Sequence, residues 1–344
     1  MSKIAFITDL HWGVKNSSEY FLGEYENYFD TQFFPYLIQH NIKTVFICGD
    51  FWENRKTINI LSFSKGLQFL QKFQSLGIAV YIIIGNHDVF YKNTNDFNSI
   101  EWMRHIEGVT VCDNTLTVEI DGFKVGMVNW INSSNKDVIE AYIKTEPYDI
   151  LLGHFEIQSF EMTRGCACQD GYSTDFFDSK REIFSGHFHI FEQKGHITYI
   201  GNPFQTRWDE LNEKKGFIVY DIGTRTWERV INTTDIYFEI IYCEGMEFQE
   251  TWRNKYLRVW STTEQFYDPN FLGFYDMLKE NCYLVQHQLS DEQEETVVKS
   301  QVKLVNVLDL FKTNILQYPE TQQNELYNVI SAVYDRALLN GENI

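Results

Sequence analysis

Four short apolar runs set the frame of this 344-residue chain: KIAFIT (3–8), TVFICG (44–49), VYIIIG (80–85) and DILLG (149–153). Each is too short for a buried helix, and the first three are rich in Val, Ile and aromatic residues. Each therefore predicts a strand covered on both faces, as in a parallel sheet. Helical patterns over 24–40, 61–75 and 97–106 alternate with the runs, which is the order of βαβ units. In such a sheet, sites are built just beyond the carboxyl ends of the strands. The residues directly after each run are therefore the place to look for chemistry.

Those residues are polar and able to bind metal. Asp9 and His11 come after the first run, Asp50 after the second, and Gly85-Asn86-His87-Asp88 closes the third. His154 ends the fourth, and Gly186-His187-Phe188-His189 ends a fifth strand-like stretch. A carboxylate beside an imidazole suits a borderline-hard divalent ion such as manganese, iron or zinc. Asp50, with two oxygens, can bridge two ions about 3.5–4 Å apart, the separation used for in-line phosphoryl displacement. The Asn86 carbonyl oxygen can serve as a further ligand. The rings of His187 and His189, on extended backbone, need not converge, so one for each ion is the natural division. His87 is then free of the ions. Asp88 is expected to orient its ring, making His87 a proton donor to a departing oxygen. Arg55 and Lys56, close after Asp50, could neutralise a phosphate.

From residue 109 the pattern changes to short strands and turns, with Asp121-Gly122 as a hairpin signal. A helix near 136–145 and strands near 182–185, 196–200, 216–221 and 227–231 complete a mixed sheet, or two stacked sheets, flanked by helices. The expected division is a catalytic domain over 1–233, a small α/β cap over 234–289, an acidic linker over 290–301 and a helical tail over 302–344. The tail has two amphipathic helices, one with Leu304, Leu308, Phe311 and Ile315 on a single face. It can fold back on its own domain or dock on another protein. In the cap, Arg253, Lys255 and Arg258 form a candidate contact for a polyanion.

A formal charge of −19 argues against a broad nucleic-acid surface, because that kind of binding needs clustered lysines and arginines. It does not exclude a phosphodiester substrate, since bound dications reverse the local field. No apolar run reaches the ~18 residues needed to span a membrane. The 6 cysteines are scattered, and a reducing cytoplasm is the expected compartment.

The series DxH, GD, GNHD, GH and GHxH resembles the calcineurin-like metallophosphoesterase superfamily over about residues 3–200. Within it, three features resemble the SbcD-type DNA double-strand-break repair nucleases and their phage counterparts. These are the GNHD form, the segment Tyr199-Ile200-Gly201-Asn202-Pro203-Phe204 followed by KGFIVYD (215–221), and the order of cap and tail. The resemblance implies a sandwich of mixed sheets flanked by helices, acting as a metal-dependent DNA exo- or endonuclease. It implies one ion held by Asp9, His11, Asp50 and His189, and another by Asp50, Asn86, His154 and His187. Manganese is the expected metal, with magnesium or another divalent ion as the alternative. It also implies a cap that contacts DNA, a homodimer, and a tail that binds an SbcC-type coiled-coil ATPase. One departure stands out: some members carry a second histidine three residues after the bridging aspartate, where this chain has Glu53. A phosphomonoesterase or phosphoprotein phosphatase on the same fold is the competing expectation, because a fold does not fix a substrate.

Overall fold

A computed structural model describes residues 2–290 of the chain. Two six-stranded mixed sheets form its centre. The first runs, in spatial order, Thr226–Ile231, Gly216–Asp221, Lys3–Ile7, Thr44–Ile47, Ala79–Ile82 and Val109–Val111. The second runs Glu192–Lys194, Ile197–Tyr199, Glu182–Gly186, Ile150–His154, Phe123–Val128 and Thr115–Ile120. The central strands of each are parallel; antiparallel strands close both edges of the second sheet and one edge of the first, whose other edge, Val109–Val111, pairs in parallel.

Alternation along each strand decides which layer a side chain joins. Ile4, Phe6 and Phe46 of the first sheet meet Val125, Ile150, Leu152 and Phe184 of the second in one buried core. Their neighbours Ala5, Ile7, Val45 and Ile47 point the other way, into a core shared with Tyr25, Phe33, Phe69 and Phe73 from helices. On the outer face of the second sheet, Leu151 and Ile183 pack with Ile139 and Ile143 of the helix Lys136–Thr145. The result is a four-layer α/β/β/α sandwich. Its central strands are apolar on both faces because both faces are covered.

Several expectations change at their edges. The first helical region begins at Glu19, before residue 24, and contains a π-turn over Phe29–Phe33. Pro35 lies just beyond that turn; it has no N–H to give and its ring crowds the preceding carbonyls, which favours a local change in winding. The helix expected over 97–106 is reduced to a 3₁₀ turn, Glu101–His105. There the Asn98 side chain accepts from the Ile100 N–H and donates to the Asn95 carbonyl, satisfying the backbone locally in competition with a helix. Asp121 and Gly122, both at positive φ, make the expected hairpin turn.

The strands Tyr237–Ile241, Tyr256–Ser261 and Leu284–Leu289 form a separate three-stranded sheet. Among the described residues, 2–260 and 269–288 belong to one compact unit and 261–268 to a second. The first unit holds both the sandwich and most of the small sheet, and within it Phe21 packs on Tyr237 and Tyr256. In the second unit, the described part includes the helical turn Thr263–Phe266, capped by the Thr262 hydroxyl. The expected tail over 302–344 lies outside the described residues.

Candidate metal centre

All seven ligand-type residues singled out in the sequence sit at or beyond the carboxyl ends of central strands, where the two sheets meet. The loops after the first two runs stay zipped together: Asp9 N–H donates to the Gly49 carbonyl and His11 N–H to the Asp50 carbonyl, each at 3.1 Å. Four of the seven have left-handed backbone, Asp9 at φ 52°, His11 at 47°, Asp50 at 51° and His187 at 91°. Such conformations cost of order 1–3 kcal/mol each and persist where the surroundings over-determine them, typically at functional sites. Gly85 is needed for a different reason. Any side chain at that position would collide with the backbone nitrogen and carboxylate of Asp50.

Two clusters form. Asp9, His11 and His189 bring ligand atoms within 4.8 Å of one another, and so do Asp50, His154 and His187. Asn86 Oδ1 lies 2.9 Å from His154 Nε2. Asp50 stands between the clusters, with Oδ2 3.4 Å from His154 Nε2 and 3.8 Å from His11 Nε2. His11, Glu53 and His87 form a third, overlapping group.

The far side of each ring explains why these atoms attract a cation. His11 Nδ1 lies 2.9 Å from the Glu53 carboxylate, and His189 Nδ1 lies 3.1 Å from the Glu210 carboxylate. Ionised carboxylates only accept, so each carboxylate favours the proton on the Nδ1 that faces it, and in the neutral ring Nε2 then presents a lone pair. Yet these two Nε2 atoms are 3.0 Å apart. At that distance the two nitrogens are bridged either by a proton on one ring or by a cation that both can ligate. His154 is arranged alike, with Nδ1 donating to the Cys48 carbonyl at 2.8 Å and Nε2 turned toward Asp50 and Asn86. The donors are nitrogen and oxygen with no thiolate, a set that fits divalent metal ions. Burial alone would disfavour protonation of His11. The Glu53 carboxylate, with Asp50 and Asp9 behind it, outweighs burial and raises the pKa to about 9. His154, likewise buried, is raised to about 9 by Asp50. Both shifts express the same excess of negative field at the centre.

His87 stands apart. Its Nδ1 donates to the backbone carbonyl of Glu53 at 2.6 Å, its ring meets His11 edge-on, and it lines the cavity over the centre, about 570 Å³ in volume. Asp88, expected to orient His87, does not touch the ring. It is fully buried and accepts the N–H groups of Phe51, Trp52 and Gly85. Those bonds fix the loop carrying Asp50 and Asn86, so Asp88 is a structural anchor. The one-residue step from His87 to Asp88 points the two side chains in different directions, and Glu53 does the orienting.

The cationic candidates fare differently from the ligands. Arg253 pairs with Glu250, Lys255 with Glu24 and Arg258 with Glu239, so in the described residues this is no free basic cluster. Arg55 and Lys56 line a neighbouring cavity beside Phe90 and Phe97, outside the cavity over the centre. Glu210 lies outside every motif, and Lys215, though it opens the KGFIVYD segment, carries no sign there of a role at the metal centre. Both are buried; Glu210 holds His189, and Lys215 Nζ lies 3.6 Å from Glu210 and donates to Asn202 and the His189 carbonyl. Burial opposes the Glu210 charge, but Lys215 and His189 overcome it and hold the carboxyl far below the usual range. Removing one partner of such a buried pair strands the other. Lys215→Met is expected to destabilise the protein by about 3–5 kcal/mol in urea denaturation; a loss under about 1 kcal/mol would contradict the role of the pair.

Comparison with known proteins gives the family of the chain. Residues 2–191 match the family described as calcineurin-like phosphoesterase. The chain is 28% identical over 346 residues to exonuclease subunit 1 of Enterobacteria phage T4, covering 94% of this chain and 98% of the phage protein. It is 26% identical over 122 residues to a phosphodiesterase of Methanocaldococcus jannaschii, covering 35% of this chain and 61% of that one. Among solved structures, an archaeal phosphodiesterase is 17% identical with a TM-score of 0.34, covering 67% of this chain and 99% of that one.

Proposed function

The chain belongs to the calcineurin-like phosphoesterase family and is a metal-dependent phosphodiesterase, and we propose that it is the nuclease subunit of a DNA recombination and repair complex. The observation that carries the reaction is the pair of donor clusters with Asp50 standing between them. Asp9, His11, Asp50 and His189 would hold one manganese ion, and Asp50, Asn86, His154 and His187 a second. When bound, such ions supply positive charge to the phosphoryl oxygens and acidify water.

The remaining work falls to the chain. Glu53, Glu210 and the Cys48 carbonyl each hold an imidazole with its Nε2 toward the centre. Outer partners of this kind set ligand orientation and basicity. His87, anchored through Nδ1, offers Nε2 to the departing oxygen as its proton donor. Burial lowers the affinity of His87 for that proton, against the pull of Asp50, which makes the protonated ring a stronger acid.

DNA as substrate is supported by the similarity to the phage exonuclease subunit, which runs past residue 191 across most of the chain. The name of that relative is also that of a subunit. We assign the partner role to an SbcC-type coiled-coil ATPase bound by residues 302–344, with homodimerisation through the catalytic domain and action in the cytoplasm. With manganese, the purified protein is expected to cleave linear duplex DNA, and EDTA to abolish the cleavage. Faster phosphate release from a phosphopeptide, with the duplex intact, would replace this reading with a phosphatase.

A further inference from the structure

The cavity over the metal centre has two permanently cationic residues in its wall, Lys15 and Arg207. Neither belongs to a ligand stretch. They reach the cavity from loops of different sheets. Lys15 follows the strand Lys3–Ile7 of the first sheet, and Arg207 follows the strand Ile197–Tyr199 of the second.

Each is placed by a specific device. Lys15, Asn16 and Ser17 take three successive left-handed conformations, at φ 54°, 56° and 61°. The turn is closed by the Ser17 N–H donating to the Gly13 carbonyl at 2.8 Å. L-residues rarely visit this region in succession, and here it brings Lys15 and Asn16 to the rim of the cavity. The Lys15 side chain is exposed, and among the described residues no carboxylate lies within ion-pair distance of its ammonium. The backbone N–H of Arg207 donates to the Glu210 carboxylate at 3.3 Å, and the same carboxylate holds His189. Arg207 is thus tied to a ring of the metal centre. Its guanidinium lies 3.4 Å from Asp209 and stays half exposed.

We infer that Lys15 and Arg207 bind the phosphates on either side of the scissile one, selecting a polynucleotide chain over an isolated phosphoester. This rests on the nuclease reading above. The chain carries a formal charge of −19 and its other candidate cations are ion-paired or line another cavity. Lys15, together with Arg207, whose half-exposed guanidinium lies 3.4 Å from Asp209 and 3.9 Å from Glu210, places positive charge at the mouth of the cavity itself. Backbone contacts of this kind position a nucleic acid without reading its sequence, so the selectivity concerns chain length and is indifferent to bases.

The test compares linear duplex DNA with bis(p-nitrophenyl) phosphate, a diester with no flanking phosphates, both with manganese. For Lys15→Met and for Arg207→Met, KM for the duplex is expected to rise about tenfold with a much smaller change in kcat. The ratio of kcat/KM for duplex over small diester should fall accordingly. The slope of log affinity against log salt should drop by about 0.9 for each lost contact. Arg207→Lys, which keeps the charge, should recover most of the duplex affinity, separating charge from loop structure. Equal losses on both substrates, or an unchanged salt slope, would overturn the assignment. A wild-type protein that hydrolyses the small diester but no duplex would overturn the nuclease reading itself, before any variant is made.

Discussion

His87→Ala is expected to lower kcat on DNA by about 10²–10⁴, the usual contribution of a positioned acid or base, while two equivalents of manganese still bind. The reason is geometric. His87 uses Nδ1 to hold the Glu53 carbonyl at 2.6 Å and lines the cavity, whereas neither the Asp9–His11–His189 group nor the Asp50–His154–His187 group includes it. Truncation removes the proton donor and leaves the seven proposed ligands in place. His87→Asn, which can still bond the carbonyl, should keep the loop in position and lose activity to a similar degree. Metal content by elemental analysis and single-turnover cleavage settle the matter together. If manganese is lost along with the ring, His87 is a ligand and the role assigned to it is wrong.

Asp50→Asn is expected to have a still larger effect, abolishing measurable cleavage and removing at least one equivalent of bound metal. Asp50 is buried between the clusters, and its Oδ1 also accepts the His87 backbone N–H at 2.8 Å. Burial opposes its charge, but His154 and then His11 and His87 keep the carboxyl well below the ordinary range. The amide is nearly isosteric, so the loop should survive. What disappears is the charge that both clusters share. Loss of one preorganised electrostatic group already costs about 10²–10³ in rate, and here the metal affinity falls with it. Calorimetric titration with manganese gives the stoichiometry. Two ions bound at undiminished affinity would show that Asp50 is not shared.

The parts of the site that could be read from the sequence are those encoded next to a strand. KIAFIT, TVFICG, VYIIIG and DILLG announce both the strands and the ends at which Asp9, His11, Asp50, Asn86 and His154 stand. The residues that orient the rings carry no such mark. Glu210 is 21 positions from the ring it holds, in a loop whose sequence looks like any polar turn. Adjacency also misled: Asp88 neighbours His87 in the chain but bonds three backbone N–H groups beneath the loop. The cationic residues could not be sorted either. Arg253 and Lys255 look free in sequence and are paired in the fold, while Lys15 and Arg207, in unremarkable contexts, face the cavity.

The layered α/β frame and the chemistry of the donors were legible in the order of the amino acids, because strand burial and ligand type are local properties written within a few residues. Which donors share a point in space was settled by three-dimensional packing alone. His11 and His189, 178 positions apart, meet at 3.0 Å because the strands that carry them lie in different sheets stacked on one core. Distances of that kind depend on strand order and on the packing of two sheets, and no stretch of sequence contains either.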